Sequence, residues 1–369
     1  MSDEKRTYRL TAANTITPKA PSWLWAEKMP VGCLGIAAGR GGEGKSSFAL
    51  WMAALLSLGL LPGAHYGTPR DTIIVGGEDS WAHIMVPRLI AAGADLSRIH
   101  RLDILTESGT ETSPRLPIDI NNLEAAIRYA RAALVVIDPL ISTISGDSYK
   151  AAETRQSLEP LVRVIEATGC AALGILHFSK AAQIHAGNAI NGSTAFRDLA
   201  RSVFLFARDQ ETDVRVMSQD KNSYARDDGP SLEYTLVSTA VPVEGGVADV
   251  GRFEWLGESD QSVRDIMLGA EGDEDDRSEA ERWLMHKLED LGGSGPAKDI
   301  LRDARRDGFP DRTMQRARKR IADSSKSGFG GAWVWTLNHK DAAKAPKMPP
   351  PQGQAPMASM APSVRADLA

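Results

Sequence analysis

Residues Gly39-Arg40-Gly41-Gly42-Glu43-Gly44-Lys45-Ser46 constrain this chain more than any other stretch, because they complete the pattern G-x-x-x-x-G-K-[ST]. Apolar Leu34–Ala38 precedes the pattern and the helical run Ser46–Leu58 follows it, so the spacing predicts strand, glycine loop and helix in that order. Glycines let successive backbone N–H groups turn inward around a phosphate that sits at a helix N-terminus. Lys45 is then placed to reach the β- and γ-phosphates of ATP, and the Ser46 hydroxyl to ligate Mg²⁺. The loop from Gly39 to Ser47 is therefore a candidate ATP site.

Two further apolar runs end in carboxylates. Leu134-Val135-Val136-Ile137 is followed by Asp138, the acid such a loop needs to hold Mg²⁺ and its waters; the plainer reading is a turn cap before Pro139. Thr72-Ile73-Ile74-Val75-Gly76-Gly77 is followed by Glu78 and Asp79. The two glycines allow close backbone approach to a nucleotide, and a carboxylate there can accept the proton of an attacking water. Glu78 is the candidate base. Asp79 reads as a cap for the next helix or a supporting acid, and capping is the alternative for Glu78 too.

The chain has 369 residues, 42% of them apolar and 25% charged, which predicts about two soluble domains and excludes a coiled coil or a disulfide miniprotein. No apolar run reaches membrane-spanning length, so no membrane contact is expected. The first residues lack a signal-peptide core. Cys33 and Cys170, each flanked by apolar residues, read as buried free thiols, and the expectation is a cytoplasmic protein. Apolar runs at Leu34–Ala38, Thr72–Gly76, Leu134–Ile137, Ala171–Leu176 and Ser202–Phe206 alternate with helical patterns, which predicts an α/β fold with a mainly parallel sheet covered on both faces. Asp213–Gln219, Ser231–Ser238 and Ala248–Trp255 have no helices between them and extend the sheet with antiparallel strands. The expected domains are an N-terminal arm (1–30), an ATPase domain (31–256), an acidic linker (257–276), a basic module (277–340) and a disordered tail (341–369). The tail has six prolines in residues 346–369, and no internal repeat is present. In the arm, Trp23 and Trp25 fit either stacking on a base or anchoring in a core.

In this order, the loop, Glu78-Asp79, Asp138 and His177-Phe178-Ser179-Lys180 resemble a RecA-like ATPase, and more narrowly the RepA-type AAA family ATPases of plasmids and phages, relatives of the hexameric replicative helicase DnaB. Trp23-Leu24-Trp25, Gly77-Glu78-Asp79-Ser80, Pro87-Arg88-Leu89, Gly93-Ala94-Asp95, Gly192-Ser193 and Ala200-Arg201-Ser202-Val203 add to the resemblance, which covers residues 15–260. It implies a homo-oligomer, a hexameric ring hydrolysing ATP between subunits. His177 would sense the γ-phosphate, with a satisfied polar cap as the plainer reading. Arg201 would be an arginine finger reaching a neighbouring subunit, and Lys221 a second cation acting in trans. Ser223 stands where the helicase pattern has a basic residue, which leaves Arg226 as a substitute for that contact. Single-stranded DNA would meet loops Ile144–Arg155 (Lys150, Arg155) and Lys180–Thr194 (Lys180, His185), although ordinary solvated loops also fit Lys150 and Arg155.

The net charge of -5 hides an asymmetry. Residues 277–340 hold 14 Lys/Arg against 9 Asp/Glu, whereas residues 1–276 carry -11. Five acids fall within Glu271–Asp276, too dense to pack. Beyond them Ser278–Leu291, Ala297–Asp307 and Asp311–Ala322 read as three helices. The last carries Arg312, Gln315, Arg316, Arg318, Lys319 and Arg320 around an inner face of Met314, Ala317 and Ile321, which fits the recognition helix of a helix-turn-helix on duplex DNA. With a hairpin over Ser327–Trp335 the module resembles a winged helix; a solvated basic face is the alternative. Three functional readings follow: a ring-forming helicase or single-strand translocase, a filament-forming recombinase or annealing ATPase, and a nucleotide-switched replication initiator or helicase loader. The complete catalytic set with a basic end module favours the first.

Overall fold

The computed structural model describes residues 7–76, 78–178, 192–209, 212–226, 229–271, 274–326 and 333–338, without the side chains of residues 268–278, 312, 316, 319 and 326. It divides into two compact units that meet at residues 271 and 272. In chain order the first contains β1 (Trp23–Trp25), β2 (Met29–Pro30), β3 (Leu34–Gly39), α1 (Lys45–Ser57), β4 (Thr72–Val75), α2 (Val86–Ala91), β5 (Ile99–Arg101), β6 (Ile104–Leu105), β7 (Glu111–Thr112) and α3 (Ile120–Ala130). It continues with β8 (Leu134–Ile137), α4 (Ala151–Thr168), β9 (Ala171–His177), α5 (Ala195–Leu199), β10 (Ser202–Arg208), β11 (Arg215–Asn222), β12 (Ser231–Val243), β13 (Gly246–Ser259) and α6 (Val263–Glu271).

Nine of these strands form one sheet in the spatial order β13-β12-β11-β10-β3-β9-β8-β4-β5. The run from β10 to β5 is parallel, and β10 to β13 pair antiparallel. The parallel strands read as unbroken apolar runs because both sheet faces are covered. Their side chains divide with the two-residue period of a strand. Leu34, Ile36, Val135, Ile137, Val203 and Leu205 face one core, packed with Leu123, Leu158 and Leu161 of α3 and α4. Ala37, Leu134, Val136, Phe204 and Phe206 face the other, packed with Phe48, Met52 and Leu56 of α1. Helix α1 is apolar on all sides because it is enclosed: the sheet lies on one side and the strand pair β12–β13 closes over it.

Two expected boundaries are corrected. Residues 23–30 are not part of an arm: Leu24 and Met29 are fully buried and Trp25 lies among Phe48, Phe204 and Trp255 at ring distances of 5.7, 5.8 and 6.0 Å. Residues 257–271 are not a linker. β13 runs to Ser259, and α6 seats Val263 and Ile266 in the first core, with the Val263 N–H donating to Ser218 Oγ at 2.8 Å. The apolar i, i+3 pair outweighs the polar composition around it, and the second unit's first helix already begins at Glu274, inside the acidic run.

The second unit comprises α7 (Glu274–Asp290), β14 (Ser294–Pro296), α8 (Ala297–Arg306), α9 (Asp311–Ile321), β15 (Ala322–Lys326) and β16 (Trp333–Leu337). Its strands form an antiparallel sheet ordered β14-β16-β15. Leu284, Leu288, Ile300, Met314, Ala317 and Trp335 make its core, so Met314, Ala317 and Ile321 do face inward along α9. The residues joining β15 to β16 and the tail from residue 339 lie outside the described residues. Among the described residues no helix is long and apolar enough to cross a membrane.

The aromatic packing of β1 is directly testable. Trp25→Ala should destabilise the first unit by about 3–5 kcal/mol, the usual cost of deleting a buried ring. Urea unfolding followed by circular dichroism measures this, and a loss below about 1 kcal/mol would place Trp25 outside the core.

Candidate active site

The P-loop occupies the turn between β3 and α1, and parallel pairing brings the ends of β9, β8 and β4 to the same edge of the sheet. β9 lies between β3 and β8, with His177 in register with Gly39. Gly44 caps α1 at φ +88°, a left-handed conformation that favours glycine, and the Tyr234 ring and Leu236 of β12 would lie within 3.2–3.3 Å of any side chain there. Tyr234 also donates its hydroxyl to the Glu43 carbonyl, so the antiparallel extension of the sheet clamps the loop from outside. Within the loop, the buried Glu43 carboxylate accepts from the Arg40 N–H. Burial holds that carboxyl above its ordinary pKa, against the opposing pull of Arg40 and Lys45. Glu43 thus shapes the loop from inside, while Arg40, Gly41 and Gly42 are exposed at its tip and Ser47 lines the cleft behind Ser46.

The Lys45 ammonium, 4% exposed, donates to the carbonyls of Gly39 at 3.0 Å and Arg40 at 2.7 Å. Burial lowers its pKa, partly offset by the Glu43 and Asp138 carboxylates. Ser46 Oγ donates to Asp138 Oδ2 at 2.6 Å, joining the start of α1 to the end of β8. Asp138 is raised above the ordinary carboxylate range by burial, with the Ser46 hydrogen bond opposing and the Glu78 charge adding to the shift. His177 is lowered from the usual 6.5, first by burial and then by the Lys45 cation, so it is neutral at pH 7. The stability that depends on neutral His177 is present above pH 6.5 and is lost as the pH falls through its folded-state value.

These side chains surround a cavity of about 280 Å³, lined also by Glu78, Asp79, Trp81, Met85, Arg88 and Leu236. The capping alternative for Glu78 and Asp79 is corrected: Ser80 caps the following turn, accepting from the His83 N–H at 3.3 Å, while Asp79 pairs with Arg88 at 3.1 Å. Glu78 is exposed to the cleft. A Mg²⁺ ion fits the donor set, since a hydroxyl and a carboxylate oxygen already at 2.6 Å are hard ligands that leave its other positions to water and phosphate. Among the described residues there is no group of three or more His, Cys, Asp or Glu that could hold a metal ion. The stacking alternative for Trp25 is overturned by its burial. Trp81, Met85 and Leu236 join Ile74 and Ile175 as the apolar lining, and sequence reasoning missed these three: Trp81 follows a cap and Leu236 lies 190 residues beyond the loop.

Other candidate residues lie away from this cleft. The Arg201 N–H donates to the Leu34 carbonyl, so Arg201 stands at the opposite end of β3 from Gly39, roughly 16 Å away at strand spacing. Lys221 is beside it, donating to the Arg197 and Asp198 carbonyls at 2.9 and 3.2 Å; burial first, then the Arg197 and Arg201 cations, lower its pKa. Arg226 lies two residues after Tyr224, whose pKa is raised first by the neighbouring Cys33 thiol. Lys150 ends the loop before α4 and pairs with Glu153 at 3.0 Å. Arg155 is corrected from loop to helix, because α4 starts at Ala151; it pairs with Asp198 of α5 at 2.9 Å. Lys180 and His185 lie outside the described residues. On α9, Gln315 is exposed and Arg320 pairs with Glu281 at 2.8 Å, while the side chains of Arg312, Arg316 and Lys319 lie outside the described residues.

Residues 4–183 match the family model of an AAA domain. No curated protein matches the chain. The matched stretch contains the loop, Glu78, Asp138 and His177, and its similarity supports a nucleotide-binding ATPase domain of the AAA, P-loop type.

Gly76 sets how closely β4 approaches β8, since a Cβ there would stand 2.3 Å from the Asp138 carbonyl oxygen. Gly76→Ala must push the two strands apart where Glu78 and Asp138 leave them. Its ATPase rate should fall at least tenfold, while Gly229→Ala, where a Cβ meets nothing within 4 Å, should keep the wild-type rate. Equal activity in both variants would show that the spacing of β4 and β8 is unimportant for turnover.

Proposed function

We propose that this protein is an ATP-hydrolysing motor of RecA-like architecture that forms a ring, in the manner of a hexameric helicase, and moves along single-stranded DNA during phage- or plasmid-type replication. The observation that carries the reading is the convergence of Lys45, Ser46, Glu78, Asp138 and His177 on one cleft at the ends of four adjacent parallel strands. Lys45 and the inward N–H groups of the loop bind the phosphates, exchanging the Gly39 and Arg40 carbonyls for phosphate oxygens. Bound Mg²⁺, held by Ser46 and Asp138, would neutralise charge on the phosphates. Glu78 orients the attacking water and takes its proton. His177, neutral at pH 7, lies where it can hydrogen-bond a terminal phosphate and report its loss to the segment that follows β9.

Arg201 and Lys221 fit the same reading as trans contacts. Both stand at the far end of the sheet from their own P-loop, so a nucleotide they touch belongs to another subunit. Lys150 reaches toward single-stranded DNA from the loop after β8, with Lys180 and His185 from the segment after β9; the end of the second adjoins the first through the Ser193 N–H to Ser148 carbonyl bond at 2.9 Å. In the second unit, three helices with an antiparallel sheet and a basic α9 support a winged-helix contact with duplex DNA through Arg312, Gln315, Arg316, Lys319 and Arg320. This catalytic set favours the motor over a nucleotide switch, because a switch does not need a placed base.

Lys45→Ala should abolish ATP binding or turnover. Glu78→Gln should bind ATP normally yet hydrolyse it about 10²–10⁴-fold more slowly, the usual contribution of a general base. Arg201→Ala should also be inactive but regain turnover when mixed with Lys45→Ala subunits, which supply an intact finger. Phosphate-release assays read all three; normal turnover by Glu78→Gln would falsify its assignment as base, and absence of rescue in every mixture would remove Arg201 from the trans role.

A further inference from the structure

The second unit carries a cavity of about 1000 Å³ that the P-loop chemistry does not use. It lies between α8, α9 and the strands β15 and β16, and its lining is chemically one-sided. Lys298, Arg302 and Arg305 recur at four and three residues along α8, which places three cations on one helix face. Arg318 and Gln315 of α9 add a fourth cation and an amide, and among the described residues no carboxylate lines the cavity. The cations do have acidic neighbours at the rim: Asp299 at 2.9 Å and Asp303 at 3.5 Å for Arg302, and Asp311 for Arg305. The exposed Arg302–Asp299 and Arg305–Asp311 pairs contribute little and exchange readily for a phosphate oxygen, while part-buried Asp303 is held by Lys287 at 2.8 Å. Arg318 Nε is buried with no hydrogen-bond partner, a donor that a bound acceptor would satisfy.

Two indoles complete the site. Trp335 is buried in the core and forms part of the wall, whereas Trp333, 52% exposed, lines the same cavity two residues earlier in β16. Cations beside an accessible aromatic face match a nucleotide whose base is not already stacked. A duplex offers phosphates but keeps its base faces inside the stack. An acidic peptide would find the cations but no use for the ring.

We propose that this cavity binds single-stranded nucleic acid, with Lys298, Arg302 and Arg305 on consecutive phosphates and a base against Trp333. The inference rests on the reading of the second unit as a nucleic-acid contact, but assigns the single strand to the α8–Trp333 cavity and leaves duplex to the outer residues of α9. The unit then holds a strand already separated.

The test uses the full-length chain without nucleotide and two fluorescein-labelled probes, a twelve-thymidine oligonucleotide and a twelve-base-pair duplex, followed by anisotropy. Trp333→Ala should weaken oligothymidine binding about tenfold, Trp333→Phe should retain most of it, and duplex affinity should be unchanged. Lys298→Gln combined with Arg302→Gln should lower the slope of log K against log salt by about 1.4 for oligothymidine, as expected for two phosphate contacts. Arg316→Ala combined with Lys319→Ala should weaken duplex binding alone. Wild-type oligothymidine affinity in both cavity variants would overturn the cavity assignment while leaving the nucleic-acid reading standing. Equal losses for both probes would overturn it too. A wild-type chain that binds neither probe would remove the nucleic-acid reading together with the cavity.

Discussion

The hydrogen bond from Ser46 Oγ to Asp138 Oδ2 ties together residues 92 positions apart, and the rest of the first unit is arranged to make it possible. Ser46 stands in the first turn of α1; Asp138 follows a strand two places away from β3 in the sheet. They meet only because parallel pairing ends β3, β9, β8 and β4 at one edge and because Gly76 lets β4 lie against the Asp138 carbonyl. Burial makes this contact consequential. It raises Asp138 and lowers Lys45, so each charge is costly alone and both are favoured by a ligand carrying phosphate and a divalent cation.

The two core layers serve that arrangement. α1 is apolar from Phe48 to Leu56 because it is covered by β12 and β13 as well as by the sheet, and β12 sends Tyr234 and Leu236 onto the phosphate loop. Trp25, Phe48, Phe204, Phe253 and Trp255 fill the space between. The loop is thus held by its own Glu43 from within and by a late strand from without. Arg201 and Lys221, at the other end of the same strands, are positioned by the opposite ends of β10 and β11.

Much of this was legible in the chain itself. The P-loop is a contiguous pattern, and strands buried on both faces leave unbroken apolar runs, so β3, β4, β8, β9 and β10 and the acids that end β4 and β8 could be read directly. What escaped reading depends on distant partners. Trp25 looked like part of an arm because its ring neighbours lie 23 to 230 residues further on. Residues 257–271 looked like a linker because polar composition outweighed the two apolar side chains that anchor α6. Trp81 and Leu236 reach the cleft through a turn and a strand that carry no motif, and the cavity of the second unit arises only when α8 meets β16. Pairings of this kind are set by tertiary packing rather than by local periodicity.

We propose that Ser46 and Asp138 together form the cation-dependent half of a nucleotide site. Calorimetric titration of ATP into the protein, with Mg²⁺ and then with EDTA, measures this directly. Mg²⁺ should strengthen ATP binding in the wild-type chain, and Asp138→Asn should remove most of that gain while retaining the weaker metal-free binding. Identical ATP affinity with and without Mg²⁺ in the wild-type chain would contradict it.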